Sequence, residues 1–159
     1  MDELMSGLTL AAALGAGLVA GIFFAFSAFI MSALKRLPPE GGISAMQSIN
    51  VAVLNPVFFF VFFGTAVAAL ILAIAALAGW SPSRSLYLLA GSLLYLAGTI
   101  VVTMAFNVPL NNKLAATGPK SAEGAGVWKA YLSAWTAWNH VRTIAALLAC
   151  ASFILAFSE

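Results

Sequence analysis

Residues 55–78 read NPVFFFVFFGTAVAALILAIAALA, a run without a single charge, interrupted only by Pro56, Gly64 and Thr65 after its opening asparagine. A helix that crosses the hydrocarbon core of a bilayer needs about 20 mainly apolar residues. This stretch meets that length on its own, and the same reading extends outward from it. No charged residue lies between Glu3 and Lys35, between Glu40 and Arg84, or between Arg84 and Lys113, and after Arg142 the next charge is Glu159. The gaps predict four spans, at about residues 7–33, 55–78, 86–108 and 134–157. Lipid offers no partner to backbone N–H and C=O groups, so each span must be helical. The expected fold class is all-α, an integral membrane four-helix transmembrane bundle forming a single transmembrane domain over residues 1–159.

The composition excludes other classes. Of the 159 residues, 63% are hydrophobic and 8% charged, against about 45–50% and 25% in soluble domains. Seven Lys and Arg against five Asp and Glu leave a net charge of +2, far from the basic footprint that nucleic acid requires. The expected partner on these grounds is the lipid bilayer and not nucleic acid; the polar and aromatic residues considered below add a small aromatic molecule, and a homo-oligomer is left open. Cys150 is the only cysteine and His140 the only histidine. They can make neither an internal disulfide nor a zinc site of the usual Cys/His type, so no metal site is expected. The first span opens on Asp2 and Glu3 instead of a positive segment, and its apolar stretch is too long for a cleaved signal peptide.

Several local features bear on the bundle. Gly17 and Gly21 form a G-x-x-x-G pair, which reads either as a close helix-packing face or as small residues filling an ordinary bundle. Pro56 is compatible with a first helical turn and pushes Asn55 away from helical geometry. Either a helix starts near Asn55, or one that begins near Ile43 is kinked there. Gly79–Pro82 is a short turn with an interfacial Trp80. Residues 113–128 form the one sizeable loop. Lys35, Arg36, Lys113, Lys120 and Lys129 flank two connections on one side, whereas the other side has only Arg84. Five against one puts those connections in the cytoplasm and both termini outside the cell membrane.

Polar side chains are costly in lipid and mark function or helix pairing. Asn50 and Asn55 lie at the start of the second span, Asn107, Asn111 and Asn112 at the end of the third, and Asn139, His140 and Arg142 early in the fourth. The topology gathers all of them into one layer at the cytoplasmic end. Residues three, four or seven apart share a helix face, so Trp128, Tyr131, Trp135, Trp138, Asn139 and Arg142 fall on one stripe if the helix begins early. Ala146, Ala149 and Phe153 continue it. Thr103, Asn107 and Asn111 share a face if the helix survives Pro109, and His140 points roughly 100° away from Asn139.

Two readings stand for Arg142: a side chain snorkelling to the interface, or a guanidinium held among amides and Trp faces to receive an enolate, phenolate or carboxylate oxygen. No acidic residue is near it in sequence. The asparagines read either as ligand contacts or as glue between helices, and His140 either as a base or as a structural hydrogen bonder.

The segments Met46-Gln47-Ser48-Ile49-Asn50, Asn55-Pro56-Val57-Phe58 and Gly64-Thr65 resemble the second-span signature of the DUF1772, or anthrone oxygenase-like, family of membrane proteins. Asn107-Val108-Pro109-Leu110-Asn111 resembles its third-span signature and Trp138-Asn139-His140-Val141-Arg142-Thr143 its fourth. Phe24-Ala25-Phe26-Ser27 and Leu37-Pro38-Pro39 fit its first span and loop. One departure is Asn112, where the resemblance implies an acidic residue.

The resemblance implies oxidation of an anthrone to an anthraquinone by molecular oxygen as co-substrate, with no cofactor. Such an enzyme needs a base, an oxyanion stabiliser and a dry aromatic slot. His140, Arg142 and Asn139 are the candidate catalytic residues. Asn50, Asn55, Asn107, Asn111, Trp135 and Trp138 are the candidate substrate contacts. Two other classes remain open: a non-catalytic binder or carrier of small lipophilic aromatic molecules, and an assembly subunit whose Asn and Arg side chains only pair helices.

Overall fold

The computed structural model describes residues 2–159, and these form helices and short links with no strand among them. Four helices are long and apolar enough to cross a membrane: α1 (Glu3–Lys35), α3 (Pro56–Ala78), α4 (Pro82–Ala115) and α5 (Gly124–Ser158). A shorter α2 (Pro39–Ala52) lies between the first two. The chain thus has the architecture of an all-α, multi-pass membrane protein. Helix α1 packs on α3 and α5, and α4 on α3 and α5, which closes a four-helix ring. Helix α2 packs on the end of α1, on α4 beyond Val108 and on α5.

The two possibilities at Pro56 resolve in favour of two helices. Helix α2 stops at Ala52 and α3 begins at Pro56. Asn55 between them is extended, with φ −123° and ψ 157°. Its Oδ1 accepts from the Phe58 backbone N–H at 3.0 Å, satisfying one of the donors that a helix start leaves open. Its Nδ2 donates to the Ala52 carbonyl at 2.9 Å.

Helix α4 does survive Pro109, through wide turns. The backbone takes π geometry over Leu94–Val101 and again over Thr103–Asn107, where the Val108 N–H reaches the Thr103 carbonyl. Proline gives no N–H, and its ring crowds the carbonyl four residues earlier. A wide turn immediately before it absorbs that crowding without ending the helix. A similar wide turn occupies Phe26–Ile30 in α1.

The last two spans are longer than 86–108 and 134–157. Hydropathy marks only the lipid-immersed part, whereas backbone hydrogen bonding carries each helix onward through amphipathic turns. In α4, Leu114 is buried while Asn112 and Lys113 face out. The sizeable loop expected over 113–128 therefore shrinks to the link 116–123. The 35 residues of α5 rise roughly 50 Å, well beyond the hydrocarbon core.

Two cores follow. The bundle core is built from small residues of α1 and α5, such as Ala12, Ala16, Ala146 and Ala149, with Leu72 and Phe153. A second core at the α2 end joins Met31, Ile43, Met46, Leu114, Trp128 and Tyr131. Small residues set the spacing. A Cβ on Gly98 would sit 2.5 Å from the Ala145 Cβ, and one on Gly42 would sit 2.7 Å from the Trp128 ring. The G-x-x-x-G pair is not one contact face: Gly17 stands against Cys150, but a Cβ on Gly21 would meet open space.

Candidate functional site

Between the two cores lies a cavity of about 340 Å³, to which all five helices contribute. That volume lies in the range of small-molecule sites. Its walls are mainly Phe23 and Phe26 of α1, Ile49 of α2, Phe58 and Phe62 of α3, and Trp135 of α5. Four polar side chains interrupt them: Asn50, Thr103, Asn111 and Arg142. Among the described residues that line it, Arg142 is the only ionisable one.

Arg142 is 6% exposed and held from several directions. Its Nε and Nη2 donate to Asn139 Oδ1 at 3.1 and 2.9 Å, and its Nη1 donates to Thr103 Oγ1 at 3.2 Å. Its guanidinium carbon lies 4.0 Å from the Phe23 ring centroid and 4.9 Å from that of Trp135. Both partners are themselves fixed. Asn139 Nδ2 donates to the Phe23 carbonyl at 2.8 Å and to Ser27 Oγ at 2.7 Å. The Thr103 hydroxyl donates to the Thr99 carbonyl at 2.7 Å, leaving its oxygen to accept from Arg142.

This arrangement is chemically incomplete. A buried charge is costly unless it is paired, yet the partners of Arg142 are a neutral amide, a hydroxyl and two aromatic faces. The guanidinium has five N–H donors, and these contacts use three. A ligand oxygen carrying full or partial negative charge would complete the set from the cavity side. Snorkelling is not what the side chain does, since its head is turned into the protein.

At the α2 end of the cavity, Tyr131 donates its hydroxyl to Asn111 Oδ1 at 2.8 Å, which turns the Asn111 amide nitrogen to other partners. The Trp135 ring packs 5.5 Å from Phe26 and 6.0 Å from Tyr131. Helix α2 is fastened over this end by Gln47, whose Nε2 donates to the Leu114 and Thr117 carbonyls at 2.8 and 3.0 Å.

A family model described as anthrone oxygenase matches residues 58–152, more than half of the chain. The chain belongs to the anthrone oxygenase family. No curated protein and no solved structure matches it. The segment that matches the anthrone oxygenase model holds Thr103, Asn107, Asn111, Trp135, Asn139 and Arg142. Phe23, Phe26 and Asn50, which complete the cavity wall in this family member, lie outside it.

Of the residues singled out in the sequence, the fold brings Asn50, Asn111, Trp135 and Arg142 to the cavity wall, with Asn139 directly behind Arg142. The others are elsewhere. His140 is exposed on the outer side of α5, because one residue past Asn139 is a rotation of about 100°. It is not placed to act as a base in this cavity. Trp138 also leaves the stripe. It stacks on Phe106 of α4 with ring centroids 3.6 Å apart and planes at 9°. Asn55 is exposed and spends its side chain on the start of α3. Asn107 is fully buried and donates to the Trp135 carbonyl at 3.2 Å, tying α4 to α5. Phe23, Ser27 and Phe58 were not legible as site residues. Ser27 and Phe58 each carried one signal, as the last residues of the segments 24–27 and 55–58 that resemble the family.

Among the described residues, no group of three or more His, Cys, Asp and Glu side chains could hold a metal ion. The site's chemistry is that of a fixed cation facing an aromatic slot.

Proposed function

We propose that this chain is a membrane oxidoreductase of the anthrone oxygenase type, which oxidises a small flat aromatic or polyketide-like molecule with molecular oxygen and no cofactor. The observation that carries this reading is Arg142, fixed by Asn139 and Thr103, on the wall of an otherwise apolar and aromatic cavity. An anthrone has a carbonyl oxygen conjugated to a CH₂ carbon. Removing one proton gives an enolate whose charge is shared by both atoms. Arg142 stabilises the oxygen, as a preorganised donor does for a developing oxyanion. Trp135, Phe26 and Phe58 hold the rings, while Asn50 and Asn111 orient the far edge. The proton passes to a water taken up in the cavity beside Asn50 and Asn111, since no ionisable base lines the cavity.

The electron-rich carbon then bonds to oxygen and, after protonation, carries a hydroperoxide. Its remaining hydrogen leaves as a proton, the C–H electron pair forms the new C=O, and the O–O bond breaks. One oxygen atom ends in the quinone and the other in water. The test is oxygen uptake and quinone formation with emodin anthrone and protein reconstituted in bilayer discs. One O₂ per quinone, well above the rate with empty discs, is expected; no increase over empty discs would overturn the reading.

The proposed orientation follows the charges. Lys35, Arg36, Lys113, Lys120 and Lys129 stand at the α2 end, so that end faces the cytoplasm and both termini lie outside. A second reading, a binder or carrier without turnover, is favoured by one observation: His140, the one histidine, is turned away from the cavity. Saturable binding of the anthrone without oxygen uptake would select it.

A further inference from the structure

The cavity has a second property, which is where it opens. Five of its lining residues are solvent-accessible over more than a third of their surface: Ile22, Leu54, Phe59, Phe63 and Met104. All five are apolar. Four of them lie within membrane-crossing helices: Ile22 in α1, Phe59 and Phe63 in α3, and Met104 in α4. Phe63 is 45% and Met104 55% exposed, so these side chains form a rim, not a seal. Helix α3 packs on α4 along Pro82–Val101, whereas Met104 belongs to the next turn of α4.

The α2 end, which adjoins the first turns of α3, is packed. Ile43, Met46, Leu114, Trp128 and Tyr131 form a buried core there. Gln47 clamps α2 to the Leu114 and Thr117 carbonyls, and Gly42 lies against the Trp128 ring. A molecule coming from water on that side meets packed side chains. One dissolved in the bilayer meets an apolar opening flanked by membrane-crossing helices, with Arg142 on the wall within.

We infer that the cavity is filled from the hydrocarbon phase of the bilayer, through a side opening around the first two turns of α3 rimmed by Phe59, Phe63 and Met104. This deepens the proposed function by naming the substrate's source: an uncharged, membrane-partitioned aromatic molecule that meets the cation only after it has left the lipid. Ionisation then takes place inside the protein, because an anion would not partition into hydrocarbon.

The test uses 3-trifluoromethyl-3-phenyldiazirine, a small aromatic carbene precursor that dissolves in bilayers. The protein is reconstituted in phosphatidylcholine vesicles, irradiated with and without glutathione in the water phase to scavenge aqueous carbene, and mapped by peptide mass spectrometry. Labelling of the cavity-wall residues Phe23 and Trp135 is expected to persist with glutathione. In Phe63→Trp and Met104→Trp, which narrow the rim at exposed positions, that labelling is expected to fall severalfold, while the lipid-facing Leu70 and Ile74 stay labelled as before.

Labelling of Leu70 and Ile74 without Phe23 and Trp135 would overturn the inference. So would cavity labelling abolished by glutathione, or cavity labelling unchanged in both narrowed variants. The probe needs no turnover. A protein that takes up no oxygen but labels in this way would sink the proposed oxidation and keep the side opening. Oxygen uptake with no such labelling would do the reverse.

Discussion

Asn139 Oδ1 accepts two hydrogen bonds from Arg142, one turn further along the same helix, at 3.1 and 2.9 Å. The amide end of the same asparagine is tied to α1 through the Phe23 carbonyl and Ser27. One side chain thus sets the aim of the guanidinium and joins two helices. Thr143 reinforces the joint, donating to the Asn139 carbonyl at 2.7 Å and lying 3.3 Å from Ser27 Oγ.

Asn139→Leu should therefore damage stability before it damages chemistry. It strands a buried carbonyl and removes two bonds from a buried cation, and each unsatisfied buried group costs about 1–3 kcal/mol. A fall in melting temperature in detergent is expected. Asn139→Asp should be milder in stability, but it supplies a carboxylate that neutralises Arg142 and competes with any anionic ligand. Wild-type melting in the leucine variant would show that this link is dispensable.

His140→Gln should change little. The side chain is exposed on the outer side of α5, away from the cavity, so turnover within about twofold and an unchanged melting temperature are expected. A tenfold or greater loss of oxygen uptake in a well-folded variant would return His140 to the reaction.

The closeness of α4 and α5 can be tested at a distance from the cavity chemistry. A Cβ on Gly98 would come within 2.5 Å of the Ala145 Cβ, so Gly98→Val forces the helices apart or displaces backbone. Overpacking of this kind typically costs about 1–3 kcal/mol. Thermal melts of the purified variant should show the loss, and an unchanged melt would mean that the helices are not packed so closely.

The spans were legible because charge is nearly absent from them, and lipid leaves the backbone no choice but helix. Their ends were not, since hydropathy falls away where α4 and α5 leave the bilayer while their hydrogen bonding continues. Helix α2 was hidden for the opposite reason: Ile43–Leu54 carries no charge and merges with the following span until Asn55 and Pro56 separate them. At the site, the stripe spacing correctly grouped Trp135, Asn139 and Arg142, because a regular helix turns by a fixed angle. The same spacing turned His140 about 100° away from Asn139, where the structure has it, but it kept Trp138 on the stripe, whereas Trp138 stacks on Phe106. The α1 wall was beyond reach: a helix apolar on all sides does not announce which phenylalanines turn inward, and the wide turn at Phe26–Ile30 shifts the face again.

The orientation has its own test. With Cys150 first replaced by alanine, a cysteine at Ser121, in the link between α4 and α5, should resist an impermeant thiol reagent applied to intact cells. It should react once the membrane is permeabilised. Labelling from outside would invert the topology and put the α2 end at the outer surface.

The most direct measurement is made on Arg142→Lys. Lysine keeps the charge but lacks the planar fork that donates to Asn139 and Thr103 while leaving N–H groups for a ligand. Melting temperature and oxygen uptake with emodin anthrone should be recorded on the same preparation. A folded protein whose rate falls about 10²–10³-fold, the usual cost of losing a preorganised oxyanion donor, is expected. A stable Arg142→Lys protein that oxidises the anthrone at the wild-type rate would contradict the assignment of Arg142 to the substrate oxygen.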